Sequence, residues 1–212
     1  MPRLPHQTDS VWHNNKGEIV GLTENQTDFI HKIATGSRKV RNLLTPIGAL
    51  FFFSLLTLIV FVSLWVDKLL GLPRFIPEIY RFAIGLPIFA IGLFMVVWSV
   101  FCFVMARGTP VPFNPPPALV TSGPYAYVRN PMVTGVFIAM FGLGLLLDSI
   151  ALAFIFTPLS IVLVVHEIKR IEEPELERRL GSAYIEYKKR VPRFCPRARG
   201  VKQGNPDKEN SL

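Results

Sequence analysis

Residues 132–165 read MVTGVFIAMFGLGLLLDSIALAFIFTPLSIVLVV. Met132–Leu147 is a run of sixteen apolar or small residues, Asp148-Ser149 is a polar break, and Ile150–Val165 is another sixteen. Each half reaches roughly 24 Å as a helix, a little short of a hydrocarbon core of about 30 Å. One long span would set Asp148 at mid-bilayer, where a carboxylate is costly. The stretch therefore predicts a tight helical hairpin with Asp148 at the far interface; a re-entrant pair is the alternative.

Upstream lie two clearer spans. Ile47–Val66 is twenty residues without a charge, and Phe82–Ala106 is a second uncharged run of 25. Both are long enough to cross, the second with tilt. The expected fold is an all-α integral membrane protein of about four transmembrane helices, the last two a short hairpin. Four spans bring both termini to one side. Twenty of the Lys and Arg residues fall on that face and three (Lys68, Arg74 and Arg81) on the other. The positive-inside rule then places both termini and the Arg107–Pro131 loop in the cytoplasm. This asymmetry accounts for the net charge of +8 without nucleic acid as a partner. At 50% hydrophobic and 18% charged residues, with a mean hydropathy of +0.37, the chain is too apolar for disorder or an ordinary soluble enzyme. Cys102 and Cys195 are the only cysteines of the 212 residues, which rules out a disulfide scaffold.

Four regions follow. Residues 1–45 form a cytoplasmic segment, partly disordered, with a candidate interfacial helix at Asp28–Leu44. No apolar h-region marks a signal peptide there. Residues 46–107 carry the first two spans, 108–200 hold the remaining features of interest, and 201–212 are a polar tail without a prenylation box.

The spans carry almost no ionisable groups, which disfavours transport of ions or polar solutes. Unusual residues gather instead in two cytoplasmic segments. The first, Gly108–Val133, reads GTPVPFNPPPALVTSGPYAYVRNPMV. Its seven prolines exclude helix through most of it. From composition it is either a rigid linker or a pre-ordered ligand-binding loop. Ser122-Gly123-Pro124-Tyr125 reads as a turn. Tyr125 and Tyr127 are candidates to stack on a planar ring, or ordinary interfacial aromatics. The second segment, His166–Arg193, reads HEIKRIEEPELERRLGSAYIEYKKRVPR. Pro174 kinks or restarts the helix there. Glu172-Glu173 then stand at the start of the next helix, where negative charge is favoured. Tyr184, Tyr187 and Lys188 share one face of a cytoplasmic C-terminal helix, expected to pack against the membrane surface, and Val191-Pro192 ends it. No zinc motif, metal spacing, P-loop, GxSxG or GxGxxG is present, so no metal site is expected. Gly142 and Gly144 lie within a span, where small residues aid helix packing.

LVTSGPYAYVRNPM (119–132), an apolar hairpin, EE-x2-L (172–176) and G-x2-Y-x2-YKKRVP (181–192), in that order, resemble the isoprenylcysteine carboxyl methyltransferase family and its phospholipid methyltransferase relatives, over about residues 108–200. The resemblance implies a membrane-embedded enzyme without a Rossmann fold that uses S-adenosylmethionine. It implies a lipophilic acceptor, either a small molecule or a lipidated one: an isoprenylcysteine-type carboxylate, a lipid amine or a thiol. On matching positions it implies cofactor contacts from Pro117, Ala118, Leu119, Val120 and Tyr125, from Asn130, Pro131, Met132 and Val133, and from Glu172. Asn130 and Val133 depart from the family's His and Tyr. Ile168 stands where the prenylcysteine enzymes carry a substrate-binding Arg; Arg170 is nearby, but about 200° around a helix from it. Glu167 and His166 are candidate bases, and with Arg170 they complete the expected catalytic set. The loop motif resembles bacterial members, implying a bacterial inner membrane rather than endoplasmic reticulum. Two alternatives are an NADPH-dependent sterol-reductase-like enzyme and a non-enzymatic small membrane transporter or assembly protein.

Overall fold

The computed structural model describes residues 38–109, 116 and 118–195, with side chains from Leu43 onward. Most of the interfacial helix expected at Asp28–Leu44, and Pro117, lie outside the described residues. The described chain is all-α. Helix α1 is Arg38–Leu69, α2 is Glu78–Met105, α3 is Pro131–Leu146, α4 is Ala151–Leu180 and α5 is Ser182–Arg190. A single 3-10 turn, Gly123–Ala126, falls in the loop before α3. Three of these helices, α1, α2 and α4, are long and apolar enough to cross a membrane; α3 is apolar but shorter.

The expected hairpin is α3 and the first half of α4. Its turn is pinned from two sides. Asp67, in the last turn of α1, accepts hydrogen bonds from the Ser149 hydroxyl and, at 2.9 Å, from the Ala151 N–H. Ser149 Oγ in turn accepts the Leu152 N–H at 3.0 Å. These bonds satisfy donors that a helix start leaves open. Asp148 adopts φ +55°, and its Oδ1 accepts the N–H groups of Phe75 and Ile76 at 3.2 and 3.3 Å. The hairpin turn and the α1–α2 loop thus share one end of the bundle, as the up-and-down arrangement requires.

Helices α2 and α3 form the most extensive interhelical contact, and glycine makes it possible. A methyl at Gly92 would meet the Ala139 backbone nitrogen and the Gly135 carbonyl; one at Gly142 would meet the backbone of Phe89. Gly85 and Gly92 on α2, and Gly135 and Gly142 on α3, are each seven residues apart, so one stripe per helix lets backbone lie on backbone. Gly144 does the same against Ala153, so the glycines do serve packing. Large side chains on the outer faces of α1 and α2, such as Phe51, Phe61, Ile79 and Phe94, are exposed and face lipid.

Helix α4 departs from regular winding twice. Ala151–Phe156 and Ile168–Glu172 are wound as π-helix, and each precedes a proline by two residues, Pro158 and Pro174. A proline offers no N–H and crowds the carbonyl four residues back; wider winding relieves both. At the first site Thr157 Oγ1 donates to the Leu152 carbonyl, five residues back, at 2.7 Å. At the second, α-winding restarts at Glu173 without interrupting the helix, which runs on to Leu180 and carries its polar half out of the membrane.

Candidate active site

The two unusual cytoplasmic segments meet. A cavity of about 420 Å³ lies between the loop before α3, the outer half of α4, α5 and the inner faces of α1 and α2. Of the expected cofactor residues it is lined by Ala118, Leu119, Val120, Tyr125, Asn130, Met132, Val133 and Glu172. Pro131 is fully buried at the start of α3, where its ring opens the helix, and it does not line the cavity. Of the expected catalytic residues only Glu167 lines the cavity. His166 and Arg170 are exposed on α4 and do not line it. The winding changes to π at Ile168, which turns the face of the helix that follows. Ile168 itself is buried.

The loop is held by bonds that local sequence does not reveal. Gly123, at φ +60°, lies against Cys102 Sγ and the Trp98 indole of α2, where a side chain has no room. Tyr125 packs edge-on against Phe103, centroids 5.3 Å apart, and its carbonyl accepts the Tyr187 hydroxyl at 2.7 Å. Tyr127 is exposed and outside the cavity lining. The Arg129 and Asn130 N–H groups donate to the carbonyls of Pro192 and Arg193 at 2.9 and 3.2 Å. Tyr184 and Tyr187 do not rest on the membrane surface as expected. They are buried with Val191 against Leu119, Leu176 and Leu180, so the polar segments pack on each other. Burial raises the hydroxyl pKa of all three buried tyrosines, that of Tyr184 to about 12.

Two adjacent carboxylates divide the electrostatics. Glu173 is buried and points away from the cavity. Arg129 Nη1 donates to it at 2.7 Å, Arg193 at 2.8 Å through Nε and again through Nη2, and Lys188 Nζ lies at 3.1 Å. Burial pushes its pKa up, but the hydrogen bonds from Arg193 and Lys188 and the charge of Arg129 outweigh it and hold the carboxyl below its usual range. Glu172 faces the cavity. Burial, then the like charges of Glu167, Glu173 and Glu175, push its pKa up to about 7. A carboxylate so placed is poorly solvated and repelled by its neighbours, and a cation is its natural complement. Arg179 also lines the cavity, engaged by Glu175 at 2.9 Å and by the Pro116 carbonyl at 3.2 Å.

Residues 80–183 match the family model described as phospholipid methyltransferase. Over that segment, just under half of its length, the chain is similar to the phospholipid methyltransferase family. The family segment starts within α2, earlier than the motifs alone suggested, in keeping with the backbone-to-backbone packing of α2 on α3. The chain is 40% identical over 80 residues to the protein-S-isoprenylcysteine O-methyltransferase of Schizosaccharomyces pombe, covering 37% of this chain and 33% of that one. To the protein-S-isoprenylcysteine O-methyltransferase of Rattus norvegicus it is 35% identical over 86 residues, 41% of this chain and 30% of that one. It is also 37% identical over 79 residues to the nickel-cobalt-cadmium resistance protein NccN of Alcaligenes xylosoxydans xylosoxydans, 37% of this chain and 36% of that one. The chain thus spans about a third of the length of these curated relatives. No solved structure matches it. Among the described residues no cluster of His, Cys, Asp and Glu is placed to hold a metal ion.

Proposed function

We propose that this chain is a membrane methyltransferase that binds S-adenosylmethionine in the cavity between the α2–α3 loop and the outer half of α4, and methylates a lipophilic acceptor. One observation carries the reading. Residues from two segments some fifty positions apart, Ala118–Val133 and Glu172, converge on one cavity at the open end of the hairpin. Its volume of about 420 Å³ lies in the range of small-molecule sites, about 300–1,000 Å³. The residues fit the cofactor. Glu172 offers an uncompensated carboxylate to a cationic group, and Leu119, Leu176 and Tyr125 offer apolar surface to a ring system.

When bound, S-adenosylmethionine supplies a methyl group on a sulfonium already activated for displacement. The protein's part is positioning and exclusion of water. Glu172 holds the cationic end, the loop backbone from Ala118 to Val120 borders the ligand, and Tyr125 closes the side toward α2. The basic asymmetry of the loops supports a cytoplasmic cavity with both termini on that side. The loop motif, with Asn at position 130, supports a bacterial inner membrane.

Calorimetric titration of the detergent-purified protein with S-adenosylhomocysteine tests the reading. Micromolar binding is expected, and its loss in Glu172→Ala. A folded protein that shows no binding overturns it.

A further inference from the structure

We propose that the end of the bundle opposite the methyltransferase cavity carries a second site, for a lipid headgroup of the phosphoethanolamine type that is held and not methylated. Arg74 and Arg81 take its phosphate and Asp148 takes its ammonium. The proposal goes beyond the methyltransferase reading and does not depend on it.

A cavity of about 490 Å³ opens there, bordered by the α1–α2 loop from Arg74 to Glu78, by Arg81 in the first turn of α2 and by Asp148 at the hairpin turn. Its volume lies in the range of small-molecule sites, about 300–1,000 Å³. It is not an extension of the first cavity. Arg81 and Phe103, which lines the first cavity, are 22 residues apart on α2, or about 33 Å along the axis.

Two polar atoms at this second cavity are left over from the fold. Asp148 Oδ1 accepts the Phe75 and Ile76 N–H groups at 3.2 and 3.3 Å. Its Oδ2 is buried with no hydrogen-bond partner among the described residues, and so is Arg81 Nε. Arg81 Nη2 donates only to the largely exposed Glu78, at 3.3 Å. Buried polar groups are nearly always bonded, so an orphaned acceptor and an orphaned donor bordering one cavity point to a ligand that meets both. The turn itself does not need the charge. Asp148 sits at φ +55°, where Asn is as much at home as Asp, and Asn would keep the two bonds made by Oδ1. The negative charge is thus left for a cationic partner.

The charges define that ligand. Arg74 and Arg81 stand beside Glu78 and Asp148, so the lining has no net charge and suits a zwitterion. Guanidinium groups match phosphate oxygens. A carboxylate oxygen needs an N–H or O–H donor, which a trimethylated ammonium does not carry. The lipid follows from position. Trp65, near the end of α1, and Tyr80, next to Arg81, are exposed, and such aromatics mark the headgroup level of a membrane.

The test is native mass spectrometry of the full chain after incubation with phosphatidylethanolamine, phosphatidylcholine and phosphatidylglycerol of identical acyl chains, with glycerophosphoethanolamine as soluble competitor. Phosphatidylethanolamine should be retained in preference to the other two. Asp148→Asn should melt like the wild type in lipid-free detergent, lower that retention at least tenfold, as loss of a hydrogen bond to a charged group implies, and abolish the preference over phosphatidylcholine. Arg74→Gln, at an exposed residue, should weaken both lipids and keep the preference. Equal retention of the three lipids, tighter phosphatidylglycerol, or retention unchanged in both variants overturns the site; a lipid held only in the methyltransferase cavity gives the last result. Displacement by glycerophosphoethanolamine at concentrations equal to the lipid overturns the bilayer as the source of the headgroup.

Discussion

The two ends of the α3–α4 hairpin are both tied by carboxylates, in opposite ways. At the turn, Asp67 and Asp148 accept from backbone N–H groups and a hydroxyl; among the described residues no cation takes part in those bonds. At the open end, Glu173 gathers Arg129 from the loop, Lys188 from α5 and Arg193 beyond it. The first arrangement fixes a turn with short-range bonds that salt does not screen. The second joins chain segments distant in sequence through charge, and in doing so leaves the neighbouring Glu172 free to face a cavity. The closed end holds the fold; the open end holds the fold and makes the cavity proposed for S-adenosylmethionine.

The sharpest way to break that comparison is Glu173→Ala. It strands Arg129, which is nearly as buried as Glu173, and should cost about 3–5 kcal/mol in a detergent melt. S-adenosylhomocysteine binding should go with it. Glu172→Gln separates site from fold at the same end. Its stability should hold while affinity for S-adenosylhomocysteine falls at least tenfold, since hydrogen bonds to charged groups contribute about 1.5–3 kcal/mol. The sign of the pH effect follows from the raised pKa of about 7. Above it Glu172 is ionised and holds the ligand's ammonium; below it the carboxyl is protonated, so affinity should fall on acidification through pH about 7 toward that of the Gln variant. The Gln variant should be flat, as calorimetry across pH would show. Gly92→Ala tests the seam away from either end. A methyl there meets the Ala139 nitrogen and the Gly135 carbonyl, and overpacking should cost about 1–3 kcal/mol. Smallest is Asp67→Asn, which keeps acceptor capacity and should cost about 1 kcal/mol. Its ligand affinity should be that of the wild type; a loss would show that the closed end also shapes the cavity.

Much of this architecture is legible in the sequence because a bilayer reduces the problem to run length and charge. The spans, the hairpin and the break at Asp148 follow from that alone. The loop from Ala118 to Val133 and Glu172 were legible through motif order. What was hidden has two physical causes. The Glu173 clamp joins residues 129, 173, 188 and 193, and long-range ion pairs leave no local periodicity. The face that α4 turns to the cavity was hidden because π-winding begins at Ile168, where sequence alone suggests a regular 3.6-residue turn. On such a winding Glu167 and Glu172 would stand about 140° apart. With the π-turn before Pro174, Glu167 lines the cavity together with Glu172, while His166 and Arg170 do not. The one available signal was the proline two residues on, which repeats at Pro158.

The glycine seam also bears on how the chain is made. At sixteen residues, α3 is a poor candidate to partition into lipid by itself, and a groove for it exists only once α2 is in place. Its turn is fastened to Asp67 and to the backbone at Phe75 and Ile76, all synthesised earlier. During biogenesis, then, the first two helices form the template on which the hairpin enters as a unit. The site's loop closes last, when Arg193 emerges to meet Glu173.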